Sequence, residues 1–375
     1  MKTIIQNVQV KAITSWLPEE MLDLYTLSSK YGEKDVQNII KTTGIEQIRV
    51  APNGITSSDM CQKAAEHLIE SEKIDKSEID GLVFVSQTPD YVLPVTATCL
   101  QDRLGLSKDT VCQDIRYGCS GYIYGLFQAA CWISTGSCKN VLVLSGDTNS
   151  RLVNENDKSL KMVMGDAGTA TLVTEGSCPI GFHIQSDGSG AERLIVPAGG
   201  FRIPRSTETS ELKWDEDKNG RTAEDMYMDG MAIFMFAITK VHKNINTLLD
   251  LVGWNKEDLS LVALHQANKF MVENIGKKLK VHSEIVPTNV ETYGNTGPAT
   301  IPLLLSDYTP LIGSNKILDS MGLVNNIVDI ETAFLDEDVE ISLTSEAAMS
   351  GRISPFRSVG SLCNFIARQL GIEEE

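Results

Sequence analysis

Asp114-Ile-Arg-Tyr-Gly118-Cys119-Ser-Gly121 runs directly into Tyr122-Ile-Tyr-Gly-Leu-Phe-Gln-Ala-Ala-Cys-Trp-Ile-Ser134, which carries no charge. Thr110–Ile115 in front reads as a strand, Gly118 marks a turn, and Ser120–Thr135 has the apolar spacing of a helix buried on most sides. Cys119 therefore falls at or just before a helix N-terminus. A thiol there meets the positive end of the helix dipole, which predicts a pKa below its usual ~8.5 and more thiolate. Gly118 and Gly121 predict room for a substrate to approach the backbone. The chemistry suggested is a nucleophile on a strand-to-helix elbow. A buried cysteine in a tight turn leaves the same local pattern.

Working outward, strands and helices alternate. Ser57–Ser71 has helical spacing, Gly81–Gln87 is a short buried-strand run, Val95–Gly105 is helix-like, and Lys139–Ser145 and Thr169–Val173 read as strands. This predicts an α/β fold with a largely parallel, covered sheet. The second half repeats the rhythm. Gly181–Ser186 and Glu192–Pro197 look like strands, Met228–Leu251 a long amphipathic helix, and Trp254–Asp258 a short one. A strand at Leu259–Leu264 leads into the helix Lys269–Leu279, Val286–Asn289 is β-like, and Pro298–Leu305 resumes a helix. Two passes of strand, turn and helix imply duplicated halves, 1–175 and 176–306, with no residue-level repeat. From Pro310 to Glu375 there are eleven acidic and four basic residues, and two helix patterns, Leu323–Phe334 and Val359–Leu370. Residues 307–375 are thus expected to form a short acidic helical segment.

The 375 residues suffice for two or three domains, and 42% hydrophobic with 22% charged residues excludes a mainly disordered, collagenous or coiled-coil chain. No apolar run approaches ~18 residues, so no membrane span is expected. Gln6, Asn7, Gln9 and Lys11 interrupt the first apolar stretch, unlike a signal peptide, and a cytoplasmic location is expected. The net charge of −17 disfavours nucleic acid as a partner. None of the eight cysteines lies in CxxC, so no metal site is expected.

Two further constellations carry chemistry. His265-Gln266-Ala-Asn268 follows the expected strand 259–264, at a strand end where open α/β sheets place ligands. His265 suits an acid, a base or a hydrogen-bond donor, though a lone histidine is often structural. Tyr293-Gly-Asn295-Thr-Gly297-Pro298 reads as a turn before a helix. Together, a Cys, a His and an Asn at such junctions suit acyl transfer through a thioester, with His265 and Asn295 donating to a developing enolate or oxyanion.

In this order and spacing the three motifs resemble 3-oxoacyl-[acyl-carrier-protein] synthase III, of the thiolase-like superfamily. Thr43-Gly-Ile45, Met164-Gly-Asp-Ala-Gly168 and Ser186-Asp-Gly188 support the match, which covers about residues 1–306. The resemblance implies a decarboxylative Claisen condensation in fatty-acid or polyketide-like biosynthesis. Cys119 would take an acyl primer from CoA or a carrier, and the enolate formed when malonyl-acyl carrier protein loses CO2 would attack it. His265 and Asn295 would stabilise that enolate, and the Cys119 backbone N–H would be one oxyanion donor. Gly118, Gly121, Gln266, Asn268 and Gly297 would line the substrate path. The resemblance further implies a homodimer, acyl carrier protein as partner, and no required cofactor.

Two departures qualify these expectations. Members accepting acetyl-CoA usually carry a Trp in the stretch before TGI and an Arg just before it; Lys34–Thr42 has neither, which favours a carrier-bound primer or a different starter. The family ends in a Gly-rich GGGxxWG loop that supplies the second oxyanion amide, and nothing after Leu305 resembles it. The C-terminal half is therefore expected to be incomplete. Instead, Leu311–Gly371 resembles the later part of an acyl carrier protein, with Ser320 in Asp319-Ser320-Met321-Gly322-Leu323 as a phosphopantetheine attachment site. The alternatives are a Cys-dependent acyltransferase to an alcohol or amine, and a catalytically impaired carrier-binding protein or deletion fusion.

Overall fold

The structure, a computed structural model, describes residues 1–307 and, beyond them, 327, 330, 331, 334, 335, 339, 341–343, 362, 365–367, 369 and 370. The chain forms two compact units, Met1–Pro302 and Leu303–Glu375.

In the first unit a five-stranded sheet runs in the order Val8–Trp16, Asp166–Glu175, Asn140–Thr148, Gly81–Val85, Val111–Ile115. Gly81–Val85 is parallel to both its neighbours, whereas Asp166–Glu175 is antiparallel to both of its own. The sheet is thus mixed rather than largely parallel. A parallel return needs a crossover, usually a helix. Residues 149–165 offer only a 3-10 turn at Asn149–Leu152 and a one-turn helix at Lys158–Lys161, so the chain doubles back.

Helices cover both faces. Ser57–Ser71 begins at a capping box between Thr56 and Asp59 and buries Cys61, Ala64, Ala65 and Leu68, one stripe at helical spacing. These meet Leu82, Phe84, Leu100, Leu142 and Leu172 in the largest core cluster. Each large side chain so enclosed stabilises the fold by roughly 1.5–3 kcal/mol. On the opposite face lies Gly121–Ser134, close enough that a Cβ at Gly125 would stand 2.7 Å from Val143 and 2.9 Å from Val85. Tyr122, fully buried on this helix, hydrogen-bonds Thr171 at 3.2 Å.

The strands of the later part are short among the described residues. Lys2–Ile5 pairs with Ile180–His183 in a two-stranded sheet. The long helix is present as Gly230–Phe236, a π turn at Ala237–Val241, and His242–Val252. Leu259–Leu264 and Val286–Asn289 are not strands in the structure. Val262 N–H donates to Ile285 O, just before the second segment, at 2.7 Å, but among the described residues neither segment joins a sheet. Their apolar residues bury against helix Lys269–Leu279 instead.

In the second unit, Ile327, Ile341, Leu343 and Leu362 form a small core with Phe334 and Phe365. The carrier-like segment around Ser320 lies outside the described residues.

Candidate active site

Cys119 stands two residues before Gly121, the first residue of its helix, with Ser120 as the cap residue. Gly121 N–H donates to Gly118 O at 2.7 Å, closing the elbow. The thiol departs from expectation. Although Cys119 counts among the exposed cysteines, desolvation around its thiol pushes the pKa up to about 11, with a smaller push from the Asp147 charge and an opposing pull from its own backbone N–H. With desolvation as the largest cause, the resting group is a thiol.

The two glycines are also constrained by packing. A Cβ at Gly118 would lie 2.2 Å from Gln87 Oε1, and one at Gly121 2.6 Å from Val85 and 3.4 Å from Pro298. Both glycines permit close approach of the protein to itself. The contact with Pro298 seats the elbow against the Gly297–Ala299 turn.

Asn295 is buried at that turn. Its backbone N–H donates to Val163 O at 2.8 Å and its carbonyl accepts from Gly165 N at 3.1 Å. Its side-chain Oδ1 accepts from Gly297 N at 3.1 Å, so the carboxamide is pinned by its oxygen and presents Nδ2 as a donor. Gly297 has φ +64, and a Cβ there would stand 2.7 Å from Asp147 Oδ2 and from Asn149 Nδ2. Glycine is required on both counts.

His265 reaches the same turn from the other side. Its Nδ1 lies 2.7 Å from Thr300 Oγ1. Nε2 is buried with no partner among the described residues. Burial lowers the imidazole to about 4, so it is neutral near pH 7. The neighbouring Gln266 is fully engaged by backbone: Nε2 donates to Leu264 O at 2.8 Å and Oε1 accepts from Asn289 N at 3.3 Å. It holds the loop after 259–264 rather than a substrate, because buried amide groups must be satisfied. Asn268 uses Oδ1 to cap helix Lys269–Leu279 through Met271 N at 2.7 Å.

The structure thus joins the three motifs through residues 297–300: Cys119 through Gly121 and Pro298, Asn295 through Gly297, and His265 through Thr300. It also places there a group the sequence reading missed. Asp147 is fully buried, and its Oδ1 accepts from Ser86 Oγ at 2.8 Å, Gln87 N at 2.7 Å, and Thr88 N and Oγ1 at 3.2 Å each. Its Oδ2 has no partner among the described residues. Desolvation pushes it up to about 7, against these hydrogen bonds. The available signal was an acid at the end of an otherwise apolar strand.

No cluster of metal-ligating side chains occurs among the described residues, and no helix among them is long and apolar enough to cross a membrane.

The chain is similar to known proteins over most of its length. Residues 113–188 match the model of the family 3-oxoacyl-[acyl-carrier-protein (ACP)] synthase III, and residues 249–311 that of its C-terminal part. The beta-ketoacyl-[acyl-carrier-protein] synthase III of Caldanaerobacter subterraneus subsp. tengcongensis is 33% identical over 296 residues, 78% of this chain and 86% of the relative. The protein of that name from Clostridioides difficile is 34% identical over 301 residues, 80% of this chain and 88% of the relative. The crystal structure of a 3-oxoacyl-(acyl-carrier protein) synthase from Burkholderia xenovorans superposes with a TM-score of 0.77 at 36% identity, covering 82% of this chain and 86% of that one.

Proposed function

The chain belongs to the 3-oxoacyl-[acyl-carrier-protein] synthase III family, and on that footing we propose that it joins an acyl primer to malonyl-acyl carrier protein by decarboxylative Claisen condensation in fatty-acid biosynthesis. Cys119 is the nucleophile. Its sulfur attacks the primer thioester, the donor thiol leaves, and the acyl group stays on Cys119. Malonyl-acyl carrier protein then loses CO2, and the electron pair released forms the new carbon–carbon bond at the acyl carbonyl, expelling the Cys119 thiolate. A neutral thiol and a neutral imidazole suit this sequence, since no ion pair has to be dismantled before the substrate enters. Asn295 and His265 supply the polar groups that handle the enolate oxygen and the thiol proton. The Cys119 backbone N–H serves as one oxyanion donor. Such a preorganised donor is worth ~10²–10³ in rate.

The observation that carries the reading is the convergence of all three motifs on residues 297–300. The reading extends to a cytoplasmic homodimer that needs no cofactor. It also extends to a phosphopantetheine arm on Ser320, which would show as a mass gain in the presence of a phosphopantetheinyl transferase.

Intact-protein mass spectrometry tests the central claim. Acetyl-CoA and hexanoyl-acyl carrier protein are offered in turn to the parent and to Cys119→Ser. An acyl-sized gain confined to the parent, followed by a 3-oxoacyl product on adding malonyl-acyl carrier protein, is expected. A folded parent that gains no mass from either donor overturns it.

A further inference from the structure

The turn Ser86–Thr88 is held at all three of its residues. Ser86 N–H donates to Ile115 O at 3.1 Å, and Thr88 O accepts from Ser57 Oγ at 2.7 Å. Between them, Gln87 N–H donates to the buried Asp147 Oδ1 at 2.7 Å. From this fixed root the Gln87 side chain reaches the elbow: a Cβ at Gly118 would lie 2.2 Å from its Oε1 and 3.2 Å from its Nε2. The carboxamide fills the space that a side chain at residue 118 would take. Neighbouring Cα atoms are about 3.8 Å apart, so it stands within reach of the first few carbons of an acyl group on Cys119. Gln87 and Cys119 are both exposed. Among the described residues the carboxamide makes no hydrogen bond, and the Asp147 bond is made by the Gln87 backbone. A carboxamide carries two N–H donors and one acceptor oxygen. Set in place beside a nucleophile with all of them unused, it is fitted to a polar group of the substrate.

We propose that Gln87 is a specificity-determining residue: its carboxamide hydrogen-bonds an oxygen near the thioester of the acyl primer, so that the chain favours primers of the 3-hydroxyacyl class over plain alkyl ones. This rests on the reading of Cys119 as the acyl-carrying nucleophile and names the primer that it takes. A hydroxyl both donates and accepts, as a carboxamide does, so the two match in either sense. A plain alkyl chain lying over Gln87 would shut the amide off from water and give no bond in return. A site that bonds a substrate oxygen rejects the analogue lacking it for that reason.

The test times acyl-Cys119 formation on the full chain by intact-protein mass spectrometry, with hexanoyl- and 3-hydroxyhexanoyl-acyl carrier protein as donors. The parent is expected to load the hydroxylated primer with a kcat/KM ~30-fold higher. Gln87→Leu keeps the bulk and removes the amide. It is expected to slow 3-hydroxyhexanoyl loading ~10-fold and to speed hexanoyl loading ~threefold, so that the preference disappears. Gln87→Met serves as a second variant with the same expectation. A parent that loads hexanoyl as fast as 3-hydroxyhexanoyl overturns the assignment of Gln87 while acyl-Cys119 formation still stands, and it does so whether or not either variant folds. Equal slowing of both donors in a folded variant overturns it too, since that marks a contact blind to the hydroxyl. A folded parent that forms no adduct with either donor overturns the reading of Cys119, and the assignment of Gln87 with it.

Discussion

Two buried groups near residues 297–300 pull the pH dependence of stability in opposite directions. Asp147 is raised to about 7 from an ordinary ~3.9, so the folded chain keeps a proton that the unfolded chain releases. Its contribution is complete below about pH 4 and is lost as pH rises through 7. His265 is lowered to about 4, so its contribution is complete above about pH 6.5 and is lost as pH falls. Between about pH 4 and 6.5 the two slopes offset each other. Asp147→Asn retains an oxygen for the Ser86, Gln87 and Thr88 donors and removes one slope. Relative to the parent, its unfolding free energy should rise by about 1.4 kcal/mol per pH unit across that window, read from denaturant titrations. Parallel profiles would show that Asp147 is already ionised when folded. At this scale the legible residues were those at punctuated junctions: Cys119 after Gly118, His265 after an apolar run, Asn295 between glycines. Asp147 and Thr300 were not legible. Their significance comes from partners far off in sequence: for Asp147 the Ser86–Thr88 turn, for Thr300 the ring of His265.

The helix Gly121–Ser134 positions Cys119 because its glycines let it lie directly on the sheet. Gly125→Ala would place a Cβ 2.7 Å from Val143 and 2.9 Å from Val85, inside contact distance. The helix must lift, at a cost of about 1–3 kcal/mol. The expected outcome is a lowered unfolding midpoint together with slower acyl-Cys119 formation. A lowered midpoint with unchanged loading would mean that the elbow is placed independently of the helix. Elements whose signals are local were read well. Ser57–Ser71 and Lys269–Leu279 have the bounds expected, since caps and one-sided periodicity lie within the helix itself. Leu259–Leu264 was misread as a strand because an apolar run records burial, whereas a strand also needs neighbouring backbone.

At the scale of the whole molecule, Val111–Ile115 ends the five-stranded sheet; Thr96 N–H donates to Asp114 on that strand, and just before Thr96 the side chains of Tyr91, Val92 and Leu93 are 61%, 76% and 80% exposed. An open edge and exposed apolar side chains invite pairing with another chain, which the proposed homodimer would satisfy. Light scattering should give the mass of two copies for the parent. Leu93→Asp should shift it toward one, and a monomeric parent would exclude the dimer.

The opposite edge bears on how the chain is made. Among the described residues Val8–Trp16 pairs only with Asp166–Glu175, so Val8 faces Glu175, and Lys2–Ile5 pairs with Ile180–His183. Both segments therefore leave the ribosome well before their partners, which are made roughly 150 to 180 residues later, about ten to thirty-five seconds at ordinary elongation rates. A nascent chain stalled before residue 166 should leave its first sixteen residues open to protease, and one stalled well past residue 183 should not.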